Sequence, residues 1–225
     1  MKNLKDQKRG GFYWVEGKPF PSVTKILGDV IRKPALEYWM KKEVYLAMVA
    51  DPTLSETEAM VAPYAKADKA KSRGTTVHSI IEATKQGAKI EEVPEAFAGY
   101  KKAFDTWLAD IKPEIVENEK TLVNIVKRYA GTCDMIAKID GKSYVVDFKT
   151  SKDGATYQEA ELQIAAYFYS LEAVSGACVV GLGENGTYTH KVIGDLPGCF
   201  GAFLATKTLW EFLNREDCKK VGYEA

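Results

Sequence analysis

Two β-type runs, residues 128–139 and 142–148, meet at Asp140-Gly141, and that dipeptide limits what this chain can fold into more than any other feature. A two-residue loop between antiparallel strands needs positive φ at both central positions, which Asp-Gly accepts, so a hairpin with a type I′ turn is expected. Its register then follows. Ile139 pairs with Lys142, and counting back along both strands sets Asp134 opposite Asp147. Cross-strand Cβ atoms lie about 4.5–5.5 Å apart, and like charges so placed are destabilising unless something positive lies between them. A divalent cation is the expected partner.

The second strand of this hairpin, Val145-Val146-Asp147-Phe148-Lys149-Thr150-Ser151, carries an acid and a base two residues apart within an apolar run. Successive side chains point to opposite faces, so Asp147 and Lys149 share one face while Val146 and Phe148 share the other. An isolated Asp-x-Lys is most often a solvated strand end. Here the register brings a second carboxylate to it. Hard cations such as Mg²⁺ take one or two carboxylates, waters and substrate phosphates. Two carboxylates beside a lysine therefore suit phosphodiester cleavage, in which a metal polarises the phosphate and the lysine orients water or neutralises developing charge.

Gly131-x-x-Asp134, Asp147-x-Lys149 and Gln163-x-x-x-Tyr167 together resemble the PD-(D/E)XK nuclease superfamily, in particular its RecB-like exonuclease branch. Upstream, Arg73-Gly74-Thr75-Thr76-Val77-His78-Ser79-Ile80-Ile81-Glu82 is similar to that branch's R-G-T-x-x-H-x-x-x-E motif. Pro21-Ser22-Val23-Thr24-x-Ile26-Leu27 is similar to the opening of phage-encoded members and of mitochondrial genome maintenance exonucleases. The resemblance implies an α/β fold with a mixed central sheet flanked by helices and a metal-dependent deoxyribonuclease of exonuclease type. It implies that Asp134 and Asp147 hold Mg²⁺ or Mn²⁺ with the backbone carbonyl of Phe148 and with His78, and that Lys149 positions or activates water. Glu119 sits where relatives carry an acid on the first strand of the sheet. Glu117 is its rival. Glu82 is either a partner of the site or a residue that orients His78 from behind. Arg73, Gln163, Tyr167 and Thr150 are expected to touch DNA or brace the site. A recombination or replication protein is the implied partner. A structure-selective endonuclease of the resolvase kind shares this chemistry, and a non-cleaving nucleic-acid-binding protein shares the fold.

Length and composition agree with one domain. The chain has 225 residues, 46% hydrophobic and 28% charged, enough for a sizeable core. Lysine plus arginine equals aspartate plus glutamate at 31 each, so any DNA site must be a local patch. The four cysteines, Cys133, Cys178, Cys199 and Cys218, form no C-x-x-C pair. That departs from the one-plus-three cysteine pattern of relatives holding an iron–sulfur cluster, and four reduced thiols are expected. No run reaches the length of a membrane span, and no signal-peptide or mitochondrial transit pattern opens the chain. The expected setting is the cytoplasm of a bacterial or phage-infected cell.

The expected organisation is a single nuclease domain over 1–225: an N-terminal arm at 1–20, a helical part at 21–112 and an α/β core at 113–225. Helical spacing runs from Ser22 to Ala50, interrupted by Pro34, with Trp39 expected in the core. Ser55 and Glu58 form a capping box, and Lys66, Lys69, Lys71 and Arg73 follow, a solvated face or a phosphate track. Helices are expected at 94–110, 157–173 and 197–214. Strands are expected at 115–125, 178–182 and 187–193 in addition to the hairpin, with Asn185-Gly186 turning the last pair.

Overall fold

The computed structural model describes residues 8–64, 77 and 93–224 of the chain. Arg73, His78 and Glu82, and the lysine run before them, lie outside the described residues. Asp140 and Gly141 take φ values of 50° and 75°, the handedness their turn requires. The flanking runs pair as β5 (Tyr129–Ile139) and β6 (Lys142–Ser151), with Ile139 opposite Lys142. β4 (Glu114–Asn124) pairs antiparallel with β5 on one side. On the other, β6 pairs parallel with β7 (Gly176–Gly183), and β7 antiparallel with β8 (Tyr188–Val192). The result is a five-stranded mixed sheet in the order β4-β5-β6-β7-β8, flanked by helices, which is the α/β class expected.

A parallel pair needs a crossover, and α4 (Gln158–Phe168) supplies it between β6 and β7. It lies on one face of the sheet with α1 (Val23–Val30), α5 (Leu196–Leu213) and the short α6 (Arg215–Val221); α3 (Glu95–Ile111) covers the other. Period-2 alternation divides the strands between these layers. Val145 and Val179 join Ile164, Phe203 and Trp210 on the α4 side. Val146, Phe148 and Val180 join Phe104 and Trp107 on the α3 side. Phe148 meets Phe104 and Trp107 edge-on at 5.5 and 5.3 Å. Full burial of side chains this size contributes about 1.5–3 kcal/mol each. The backbone between Asp147 and Lys149 is thus pinned from behind.

The helix boundaries have local causes. Ser22 caps α1 by accepting the Lys25 N–H at 3.1 Å. Pro34 opens α2 (Pro34–Ala50), where its missing N–H costs nothing, and separates it from α1 as expected. The capping box closes in both directions: Ser55 N–H donates to Glu58 and Glu58 N–H to Ser55, at 2.9 and 3.3 Å, ahead of a helix at 56–64.

Two expectations fail here. From residue 8 the stretch expected to be an N-terminal arm (1–20) is a sheet: β1 (Lys8–Arg9), β2 (Phe12–Val15) and β3 (Lys18–Pro21) pair antiparallel and bury Phe12, Tyr13 and Phe20. Aromatic strand formers and a Glu16-Gly17 turn with φ of 50° and 77° drive it. Trp39 is not core either. No residue of α2 is buried, and Tyr38 is 71% exposed. Helical spacing defines an apolar face without saying that anything covers it.

Candidate active site

The β5–β6 ladder ends at Met135 opposite Val146, one position short of the two aspartates. In place of a ladder bond, the Asp134 side chain reaches across and its Oδ2 accepts the Phe148 N–H at 2.7 Å. Asp134 and Asp147 therefore occupy adjacent strands at the place where those strands part, 9% and 2% exposed. Both line one cleft of ≈ 430 Å³ with Lys149, Gln163, Tyr167 and Thr132.

Buried carboxylates must be compensated, and each contact of Asp147 is a compensation. Lys149 Nζ lies 2.7 Å from Asp147 Oδ2. Gln163, one turn into α4 and 9% exposed, donates from Nε2 to Asp147 Oδ1 and to the Tyr167 hydroxyl, both at 3.0 Å, while its Oε1 accepts from Lys149 Nζ at 3.0 Å. An amide can donate to the acid and accept from the base at once, whereas a glutamate here would add a third negative charge. Gln163 and Tyr167, expected to touch DNA or brace the site, are both buried in a bracing arrangement.

Tyr167 also accounts for Gly131. A Cβ at Gly131 would lie 2.4 Å from Tyr167 Cε1, closer than any real contact, so the ring takes the space that glycine leaves. Gly131-x-x-Asp134 and Gln163-x-x-x-Tyr167 are thus two halves of one packing arrangement.

The local potential is negative, and it acts on each titratable neighbour. Burial would depress the Lys149 pKa, but the charges of Asp147 and Asp134 outweigh it and hold the ammonium above the usual lysine value. The Cys133 thiol is pushed up to about 12 by burial first and then by Asp134 and Asp147. Tyr167 moves up for the same reasons in the same order. Two carboxylates opposed by one ammonium suit a hard cation with oxygen ligands. Among the described residues no group of three His, Cys, Asp or Glu is placed to hold a metal, so the two aspartates are the side-chain ligands these residues offer.

Glu119 does not line the cleft. By register it falls opposite Asp134, between the pairs Asn118–Met135 and Lys120–Cys133, and its φ of 51° breaks the strand's alternation there. The break shows in its neighbours. Glu117 Oε2 meets Lys120 Nζ at 2.7 Å, although side chains three apart on a regular strand point to opposite faces. Sequence alternation put Glu117 and Glu119 on one face, and the left-handed residue removes that inference. Thr150 lines a second cleft, of ≈ 510 Å³, which shares Thr24, Lys149 and Gln163 with the first.

Sequence reasoning missed four residues of the first cleft, Lys8, Tyr13, Thr24 and Thr132. Lys8 and Tyr13 come from the N-terminal sheet, and Tyr13 meets Thr132 hydroxyl to hydroxyl at 2.9 Å. Thr24 stands in the first turn of α1, two residues after the Ser22 cap and inside the opening motif. The Phe12-Tyr13-Trp14-Val15 run before Glu16-Gly17 was the available signal for the first two.

No family model matches the sequence, and no curated protein does. Among solved structures the chain is similar to SSO0001, at 16% identity over 84% of this chain and 75% of that one, with a TM-score of 0.37. It is also similar to LHK-Exo in complex with dAMP, at 12% identity, 89% and 94% coverage and a TM-score of 0.38. A second structure of this alkaline exonuclease from Laribacter hongkongensis gives 13% identity, 81% and 98% coverage and a TM-score of 0.34.

Proposed function

We propose that this protein is a divalent-metal-dependent deoxyribonuclease that hydrolyses DNA phosphodiester bonds as an exonuclease. The observation that carries the reading is the convergence of Asp134, Asp147 and Lys149 on one cleft at the parting of two strands. The order of the sequence motifs supports it.

Asp134 and Asp147 would hold Mg²⁺ or Mn²⁺, with the Phe148 carbonyl and His78 as further ligands. The ion supplies charge neutralisation at the phosphate and a lowered pKa for water. The chain's own groups do the rest. Gln163 orients Asp147, and the Phe148 N–H orients Asp134. Lys149 would position or activate the attacking water and neutralise charge developing at the phosphate. Tyr167 keeps Gln163 in place, and Thr150 faces the cleft through which a strand would continue. Arg73 and Glu82 keep the roles their motif implies, a phosphate contact and support for His78. Glu119, opposite Asp134 on β4 and outside both clefts, would support the acidic cluster.

Linear DNA labelled at its 5′ or 3′ end, incubated in Mg²⁺, tests the proposal: nucleotides are released from linear DNA while a closed circle is spared. Lys149→Ala keeps DNA binding in Ca²⁺ and loses about 10²–10³ in turnover, the usual cost of one preorganised electrostatic group. Cutting of the closed circle means an endonuclease. DNA retained without hydrolysis means a binding protein, and near-normal turnover by Lys149→Ala removes the role given to that residue.

A further inference from the structure

The second cleft continues into a third, of ≈ 730 Å³, and the two share Lys33, Tyr157 and Glu159. Since the first and second clefts share Lys149 and Gln163, the three form one groove from the aspartates to the start of α2. At its far end stand Trp39, half-buried on α2, and Tyr157, 67% exposed just before α4. α2 has no buried residue, so Trp39 does not serve a core. Four cations line the groove: Lys8, Arg32, Lys33 and Lys149. Apart from Asp134 and Asp147, Glu159 is the acid on its walls among the described residues. Lys33 is held to Glu159 at 2.6 Å and Arg32 to Glu37 at 2.7 Å, exposed pairs of the weak kind that a phosphate can displace.

We infer that this groove is a track for single-stranded DNA, with Trp39 and Tyr157 as platforms on which bases stack and Lys33 and Arg32 beside the backbone. An aromatic face accepts a base only when that base is unpaired from its partner and open to it, and a basic groove with interleaved aromatics is the common form of sequence-tolerant strand binding. Duplex DNA offers phosphates but no open base faces. The inference rests on the proposed nuclease reading for the polarity of the groove, with the strand's reacting end at the aspartates and the remainder on α2.

Fluorescence anisotropy of labelled dT15 in Ca²⁺ tests it without hydrolysis. Trp39→Ala and Tyr157→Ala each weaken dT15 binding by about 5- to 150-fold, the range for one stacked base. Trp39→Phe, which keeps a ring face, recovers most of the loss. Binding of a blunt 15-base-pair duplex changes less than twofold in all three. Urea midpoints equal to wild type establish that the variants are folded. Equal dT15 affinity in folded Trp39→Ala and Tyr157→Ala overturns the track, as does a loss of duplex binding as large as that for dT15. Failure of the nuclease reading looks different: nothing is released in Mg²⁺, whatever the variants do to binding.

Discussion

Gly131→Ala isolates the packing arrangement that joins two motifs. The new methyl carbon would stand 2.4 Å from Tyr167 Cε1 and 3.2 Å from Cδ1 and Cζ, whereas carbon atoms rest at about 3.5–4.0 Å. Ring or strand must therefore move by roughly 1 Å. Tyr167 is 2% exposed and its hydroxyl is tied to Gln163, so the ring has no empty space to enter. Overpacking of this kind costs about 1–3 kcal/mol. Replacing a strand glycine returns about 0.5–1 kcal/mol of backbone entropy. A net loss of about 1 kcal/mol is expected, a shift of about 2–4 °C in Tm for a chain this size. Activity should suffer far more, because a displaced Tyr167 carries Gln163 with it, and a misplacement near 1 Å costs about 10² in rate. Urea denaturation and single-turnover cleavage measure the two effects. In a Tyr167→Leu background the ring is gone, and the alanine should cost nothing. A penalty of the same size in both backgrounds, or a Gly131→Ala protein with normal midpoint and turnover, would refute the argument.

Two further outcomes concern groups outside the cleft. His190 Nδ1 accepts the Trp107 indole N–H at 2.9 Å, and burial holds its pKa below the usual 6.5. The unfolded chain then takes up the proton first, so this contribution to stability is complete above about pH 6.5 and is lost as pH falls through that value. Urea midpoints at about pH 7.5 and 5.5 should differ more for wild type than for His190→Phe, and equal differences would clear His190 of the effect. Cys133 and Cys178 are fully buried with pKa values pushed up to about 12, so alkylation of the native protein should mark Cys199 alone, by mass spectrometry, and all four thiols after unfolding.

The hairpin was legible because Asp140-Gly141 fixes both turn type and register, and once register is known every alternate side chain has a face. The sheet followed from short β-branched runs with turn residues between them. What escaped the sequence involves a partner distant in the chain or a broken period. Gly131 needs Tyr167, thirty-six positions later, to explain it. Glu119 has a left-handed backbone, which no pattern of hydrophobicity marks, so alternation does not assign it a face. The N-terminal sheet lies in a lysine-rich stretch whose polarity masked an aromatic strand. Trp39 carried the spacing of a core residue on a helix with no buried side.

The mixed pairing of β6 also sets an order of assembly. Its antiparallel contact with β5 closes through a two-residue turn, a local event on the microsecond scale. Its parallel contact with β7 must wait for the chain to run out through α4 and return, a longer and slower closure. Asp134 on β5 and Asp147 on β6 should thus come together early, with Lys149 on the same strand as Asp147, whereas Gln163 and Tyr167 should arrive only when α4 docks. Damage to the Asp140-Gly141 turn should accordingly slow folding, while damage to the α4 brace should chiefly hasten unfolding. In stopped-flow urea kinetics the unfolding rate should therefore respond to Gln163 and Tyr167, which hold the acids in place, and the folding rate to the turn that first brings the acids together.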